Sequence, residues 1–177
     1  TDKSGVDLRQ RAREVAVLLA ATLRAPLHLP GARDAHRAAL AQVIELALGI
    51  LGALESEQGE HAEVLRASAY ATLVRAYAAR AEDARHGAGQ LSLGSQRAPT
   101  REDCDDGWQR VASIVAVAEE SAQLAQRYAR LVDSSVAQKA SQRAAVSAEQ
   151  ARRLLDERNN AYTFHADPGF SFGEGWY

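Results

Sequence analysis

The feature that most constrains the fold is a regular apolar repeat between residues 108 and 136. Its members recur at alternating steps of three and four residues, the spacing that places side chains on one face of an α-helix. We call them the seam: Trp108, Val111, Val115, Ala118, Ala122, Ala125, Ala129, Val132 and Val136. Four heptads of this pattern predict a long helix packed lengthwise against a neighbouring helix.

Helical spacing also dominates the rest of the chain up to residue 163. Apolar residues from Leu8 to Leu23 predict a first helix over about 5–25, and Pro26 and the LPG sequence at 29–31 end it. Further stripes run over 35–54, 64–81 and 140–155. Since no convincing alternating run marks a strand before residue 164, the prediction is an all-α, up-and-down bundle of four to five long helices. The predicted domains are a helical bundle at 1–163 and an extended aromatic tail at 164–177.

The chain is rich in alanine, which accounts for 37 of its 177 residues. Alanine is the best helix former, and its small side chain lets helix axes approach closely. Gly49 and Ala53, four residues apart, predict such a close helix crossing. The most apolar run, at 46–54, is about half the roughly 20 residues that span a bilayer, so we interpret it as a buried helix segment and not a membrane span.

Two further segments are expected to interrupt the helices. A polar stretch at 55–61 contains Gly59 and predicts a turn. Residues 87–99 contain three Gly and a Pro and predict a long loop before a helix beginning near Thr100. Whether residues 132–136 kink the long helix is left open.

Charge and cysteine content exclude some classes of protein. The net charge of −2 leaves no basic surplus, which argues against a nucleic-acid-binding surface. The single Cys104 excludes an intramolecular disulfide and favours a reducing, cytoplasmic location. Cys104 also lies among acidic residues, which raise a thiol pKa and disfavour a reactive thiolate.

The sequence carries no recognisable metal site. Di-iron bundles need Glu-x-x-His pairs on two helices, whereas Glu57 and His61 form only one pair, at a spacing of four. The acidic run at 102–107 lacks the alternating order of a calcium loop and suits the first turn of a helix. We therefore predict neither a metal nor a cofactor.

One short stretch near the C-terminus suggests catalysis. Arg158 and His165 frame the sequence RNNAYTFH, with Asn159 directly after the arginine. This stretch resembles the Arg-x4-6-His motif of HEPN-type ribonucleases, which are small helical bundles. The resemblance covers eight residues and implies that Arg158 would stabilise phosphate charge and His165 would transfer a proton. A second match, Arg80 to His86, shows that so short a pattern also arises by chance.

The tail has a composition unlike the bundle. All three Phe residues of the chain lie there, and the segment holds five of its ten aromatic residues: Phe164, Phe170, Phe172, Trp176 and Tyr177. A disordered linker is typically poor in aromatic residues, whereas interface centres are enriched in them. The tail is therefore expected to be buried, either on its own bundle or on another chain.

These observations favour a non-enzymatic interaction or assembly subunit. It would bind a protein partner or itself through the seam and the aromatic tail. The alternative is a HEPN-like ribonuclease using Arg158, Asn159 and His165, the one hypothesis that makes nucleic acid a partner. A second alternative is a ligand-sensing bundle, which requires a sizeable pocket between helices; tight Ala-rich packing argues against it.

Overall fold

A computed structural model describes the backbone of residues 3–94 and 101–165 and the side-chain environment of residues 7–86 and 106–156. The described chain forms five helices and no strand, which confirms the predicted all-α bundle. The helices are α1 (Lys3–Arg24), α2 (Ala32–Ala53), α3 (Glu60–Gly94), α4 (Arg101–Arg130) and α5 (Ser135–His165).

Successive helices run in opposite directions. Ala67, early in α3, packs with Ala129 near the end of α4, and Ala81, later in α3, packs with Val111 in the first half of α4. These two helices are therefore antiparallel. The same clusters place Ala81 beside Ala151 and Ala67 beside Ala137, so α3 and α5 are parallel. The bundle is therefore up-and-down, and its odd-numbered helices point the same way.

The central element is α3. It contacts each of the other four helices, whereas α1 and α2 make no backbone-level contact with α4 or α5 within the described residues. One apolar core lies between α3 and the pair α1 and α2. The remaining core residues lie between α3 and the pair α4 and α5. Two three-helix units thus share α3, which explains why this helix has no single apolar face.

The seam packs inside the chain, as its spacing predicts. Its members from Val111 to Val132 contact α3 and α5, and Val111, Ala118 and Ala125 are fully buried. These side chains are therefore not available to a partner. The prediction is wrong for the last member of the seam, because Val136 lies on α5 and is 61 % exposed.

The break between α4 and α5 explains this difference. α4 ends at Arg130, and Ser134 lies where Ser is favoured, immediately before a helix. The backbone N–H of Ala137 donates to Ser134 Oγ at 3.4 Å, and the N–H of Gln138 donates to the Ser134 carbonyl at 3.0 Å. The cap restarts the helix in a new register, so residues 131–134 form the break between α4 and α5 and Val136 lies in the first turn of α5.

Two other connections can be compared with prediction. The turn expected at 55–61 is confirmed, and Gly59 takes a φ of 105°, a conformation that L side chains rarely adopt. The loop expected at 87–99 is wrong for its first part, because α3 continues to Gly94. A glycine inside a helix costs only about 1 kcal/mol relative to alanine and does not by itself end it. Residues 95–100 lie outside the described residues.

The outer face of α2 differs from expectation. Ala47 and Ile50 are buried against α1 and α3, but Leu46 and Leu48 are exposed on the other side. A Cβ added at Gly49 would meet no atom within 4 Å, so the close crossing predicted from Gly49 and Ala53 is wrong within this chain. By length and composition alone α2 could span a membrane, a property shared by core helices of soluble proteins and by signal sequences.

Two groups of polar contacts join α2 to α3. The carboxylate of Asp83 on α3 is buried and accepts hydrogen bonds from Arg37 Nε at 2.5 Å and Arg33 Nη1 at 3.4 Å, both on α2. The hydrogen bond with Asp83 raises the pKa of Arg37. Arg66 donates to the carbonyls of Leu54 and Glu57 and thereby satisfies acceptors at the end of α2.

Candidate functional site

The surface that stands out is a groove between α1 and α5. These two helices are parallel and do not contact each other, so a strip of α3 is left uncovered between them. Cavities lie along this strip, lined by residues of α1 on one side and of α5 on the other. We call this surface the α1–α5 groove.

The floor of the groove is polar although it belongs to the central helix. His61, Ser68, Arg75 and Glu82 follow one another at steps of seven residues, which keeps them on one face of α3. A helix with neighbours all round is expected to be apolar on every face. The polar line therefore marks where α3 has no neighbour.

The wider end of the groove holds a cavity of about 650 Å³. This volume is in the range of ligand-binding clefts. Its outer edge is mostly charged, and its less exposed lining is half apolar and half polar. The lining residues are Arg9, Ala12, Arg13, Ala16, Glu60, His61, Val64, Leu65, Ser68, Ser134 and Val136. The ends of α1 and α3 and the turn before α5 thus form one amphipathic cavity.

A contact between two helices shapes the edge of this cavity. Arg9 on α1 lies against His61 on α3, with 2.8 Å between Arg9 Nη2 and His61 Nδ1 and 2.8 Å between Arg9 Nε and His61 Nε2. A guanidinium only donates, so a ring nitrogen of His61 is the acceptor in this contact. Arg9 keeps its positive charge at the mouth of the cavity.

The narrower part of the groove is formed by α3 and α5. Two smaller cavities, of about 250 Å³ and 370 Å³, share Arg75 and Ser147 in their linings. Arg143 lines the larger of them, and Leu23 of α1 closes one side of the smaller. Arg75 is half-buried, and desolvation by burial lowers its pKa, with the positive charge of Arg143 adding to the effect.

For the site residues that the sequence predicts at the end of α5, the structure describes the backbone and not the side chains. The backbone of α5 includes Arg158, Asn159, Phe164 and His165, but their side chains lie outside the described residues. The other aromatic residues of the tail lie wholly outside the described residues: Phe170, Phe172, Trp176 and Tyr177. The ribonuclease alternative and the role of the tail both stay predictions.

The remaining motifs do not form a catalytic cluster where the structure describes them. Arg80 and His86 are exposed, and His86 Nε2 lies 3.4 Å from a carboxylate oxygen of Glu82. His61 contacts Arg9, while Glu57 lies in the turn before α3. Within residues 7–86 and 106–156, no group of three or more His, Cys, Asp or Glu side chains is arranged to hold a metal ion. The side chain of Cys104 is outside those ranges.

Sequence reasoning missed the α1–α5 groove, although one signal was present. The line of His61, Ser68, Arg75 and Glu82 is readable as a polar heptad position within an otherwise Ala-rich helix. Which neighbours leave that position uncovered depends on the arrangement of three helices. Comparison with protein-family models, with curated proteins and with solved structures finds no match to this chain, so its own residues are the basis for interpreting the site.

Proposed function

We propose that the protein is a non-enzymatic assembly subunit that binds a second copy of itself. The aromatic tail of one copy docks in the α1–α5 groove of the other through the residues that follow α5, 166–177. One observation carries this proposal: the groove and the tail are complementary in both polarity and charge.

The complementarity follows from residue types on both sides. The wide cavity offers Ala12, Ala16 and Leu65 as apolar walls, and its mouth carries two cations, Arg9 and Arg13, beside one acidic residue, Glu60. The tail offers Phe170, Phe172, Trp176 and Tyr177 with two acidic residues, Asp167 and Glu174, and contains no Lys or Arg. Aromatic side chains that fill an apolar cavity beside compensated charges are the usual anchors of a tight interface.

The distance along α5 favours a second copy over the same chain. At a rise of about 1.5 Å per residue, Val136 at the wide cavity lies about 44 Å from His165. The eleven residues from Ala166 to Trp176 span at most about 40 Å when fully extended. The Asp167-Pro168-Gly169 sequence is a turn signal and shortens that reach further. The tail of one copy therefore does not bring Trp176 to the far end of its own groove.

The wide cavity also supports one other function. The ligand-sensing alternative requires a sizeable pocket between helices, and a cavity of about 650 Å³ meets that requirement. An amphiphile with an anionic group would suit the same Arg-edged apolar walls. Self-association is preferred because the chain itself carries a segment with these properties.

The first test is the mass of the full chain by light scattering over a range of concentrations. We expect assembly, which is lost when 166–177 are deleted and weakened by salt because surface charges are screened. Ala16→Trp fills the cavity and is expected to prevent assembly. Ala41→Trp, an equal change at an exposed position of α2, is the matched control and should leave assembly unchanged.

A second measurement shows whether the tail occupies the groove of its own chain or that of a second copy. A labelled peptide of residues 164–177 should bind the chain lacking 166–177, and the same peptide with Phe170, Phe172 and Trp176 changed to Ala should not. A full chain that stays monomeric, or an Ala16→Trp variant that still assembles, would overturn the proposal. Peptide binding combined with a monomeric full chain would show docking on the same molecule, which also contradicts assembly.

A further inference from the structure

Two arginines meet in the middle of the α1–α5 groove. Arg75 lies on the floor formed by α3, and Arg143 lies on the wall formed by α5. Both line one cavity of about 370 Å³, together with Gln142, Val146 and Ser147. Arg75 and Ser147 also line the adjoining cavity of about 250 Å³, so Arg75 faces open space on two sides.

Neither arginine is neutralised by an acidic neighbour. Among the described residues Arg75 and Arg143 form no ion pair or hydrogen bond, in contrast with Arg37 and Arg66, which bind Asp83 and Glu63. The acidic residue in the adjoining cavity is Glu82, whose Oε1 lies 3.5 Å from Arg85 and 3.4 Å from His86. Glu82 is thus already paired with another cation, Arg85.

Arg75 is half-buried and Arg143 beside it is exposed, and a second positive charge next to a half-buried guanidinium is unfavourable unless a counter-charge is present. The positive charge of Arg143 and the burial of Arg75 act in the same direction, and both lower the pKa of Arg75. A bound anion would reverse both penalties. Groups whose pKa is shifted by burial and by a nearby charge are often found at functional sites.

The groups around the pair suit an oxyanion. Guanidinium groups donate several N–H bonds in a planar fork that matches phosphate oxygens. The Ser147 hydroxyl and the Gln142 amide lie in the same cavity and can donate to further oxygens. We propose that Arg75 and Arg143, assisted by Ser147 and Gln142, form a binding site for a phosphate group.

The site lies in a different part of the α1–α5 groove from the wide cavity, which we propose takes the aromatic anchors of the tail. It is lined by α3 and α5, and it shares no residue with the wide cavity. Ala16→Trp, which fills the wide cavity, should therefore leave phosphate binding intact. Loss of phosphate binding with assembly retained, or the reverse, distinguishes failure of one proposal from failure of the other.

Isothermal titration of the full chain with inorganic phosphate tests the site, at constant ionic strength maintained with chloride. O-phosphoserine separates a phosphate carried on an organic group from the free anion, and succinate tests whether carboxylates suffice. We expect phosphate binding that weakens about tenfold or more in Arg75→Gln and in Arg143→Gln, because each loses a charge-assisted hydrogen bond. Arg153→Gln removes the same charge from an exposed residue paired with Glu149 and should bind as the parent does.

The thermal midpoint provides a second readout. Phosphate should raise the midpoint of the parent and of Arg153→Gln, and not that of Arg143→Gln. Because the Arg143 side chain is exposed, its substitution should not unfold the protein, and a missing shift would then report lost phosphate binding. Absence of phosphate binding in the parent would overturn the proposal. Equal binding by the parent, Arg75→Gln and Arg143→Gln would overturn it as well. Binding of succinate without binding of phosphate would also overturn it, because the ligand would then be a carboxylate.

Discussion

The two cores on either side of α3 are built from different residues. The core shared with α1 and α2 is one continuous cluster of fourteen buried residues, eight of which are Leu or Ile. The core shared with α4 and α5 consists of three smaller clusters that also total fourteen buried residues, nine of which are Ala. A single helix thus supports two kinds of packing on two of its faces.

The difference shows where the stability of each unit originates. Large side chains in the first core remove much apolar surface from water, which is the main favourable contribution to folding. Small side chains in the second core remove little surface each, but they let helices approach and make extended close contacts. The first core should therefore be sensitive to truncation and the second to enlargement.

The largest effect is expected from truncation in the Leu-rich core. Leu73 on α3 is 2 % exposed, so Leu73→Ala leaves a cavity and should lower the free energy of unfolding by about 2–5 kcal/mol. Urea unfolding followed by circular dichroism measures this loss. Leu131→Ala, at a position 62 % exposed, is the control and should change stability by about 0.5 kcal/mol at most. Equal losses at both positions would contradict the packing described for this core.

A smaller loss is expected from enlargement in the Ala-rich core. Ala144 on α5 is fully buried against α3 and α4, so Ala144→Leu should force the helices apart and cost about 1–3 kcal/mol. Its neighbour Ala145 is exposed, and Ala145→Leu provides the same chemical change outside the core. Urea unfolding measures both variants. If both are as stable as the parent, the prediction is wrong, and the second core can accommodate a larger side chain.

The smallest effect concerns the aromatic pair that joins the two cores. Tyr70 on α3 stacks on Tyr128 of α4 with 5.7 Å between ring centroids, and Arg66 lies over the Tyr128 ring. Tyr70 packs against residues of both cores. A double-mutant cycle with Tyr70→Leu and Tyr128→Leu should give a coupling energy of about 0.5–1.5 kcal/mol. Additive losses would show that the two units fold without help from this contact.

Much of the helical architecture was determined by the sequence alone. The seam predicted a long buried helix, and Pro26, Gly59 and the polar stretch around it predicted where helices end, because spacing and turn residues act through local geometry. Local rules also explain the errors. Gly87 and Gly89 weaken a helix without ending it, and the cap at Ser134 resets the register before Val136.

Only the tertiary structure decided which helical faces meet. The period of the apolar residues assigns a buried side to each helix, but not the neighbour that covers it. Whether Gly49 lies in a crossing or on the surface, and whether Arg75 is covered or faces a groove, depends on how five helices are arranged around α3. The α1–α5 groove exists because two parallel helices, far apart in sequence, pack on α3 without packing on each other.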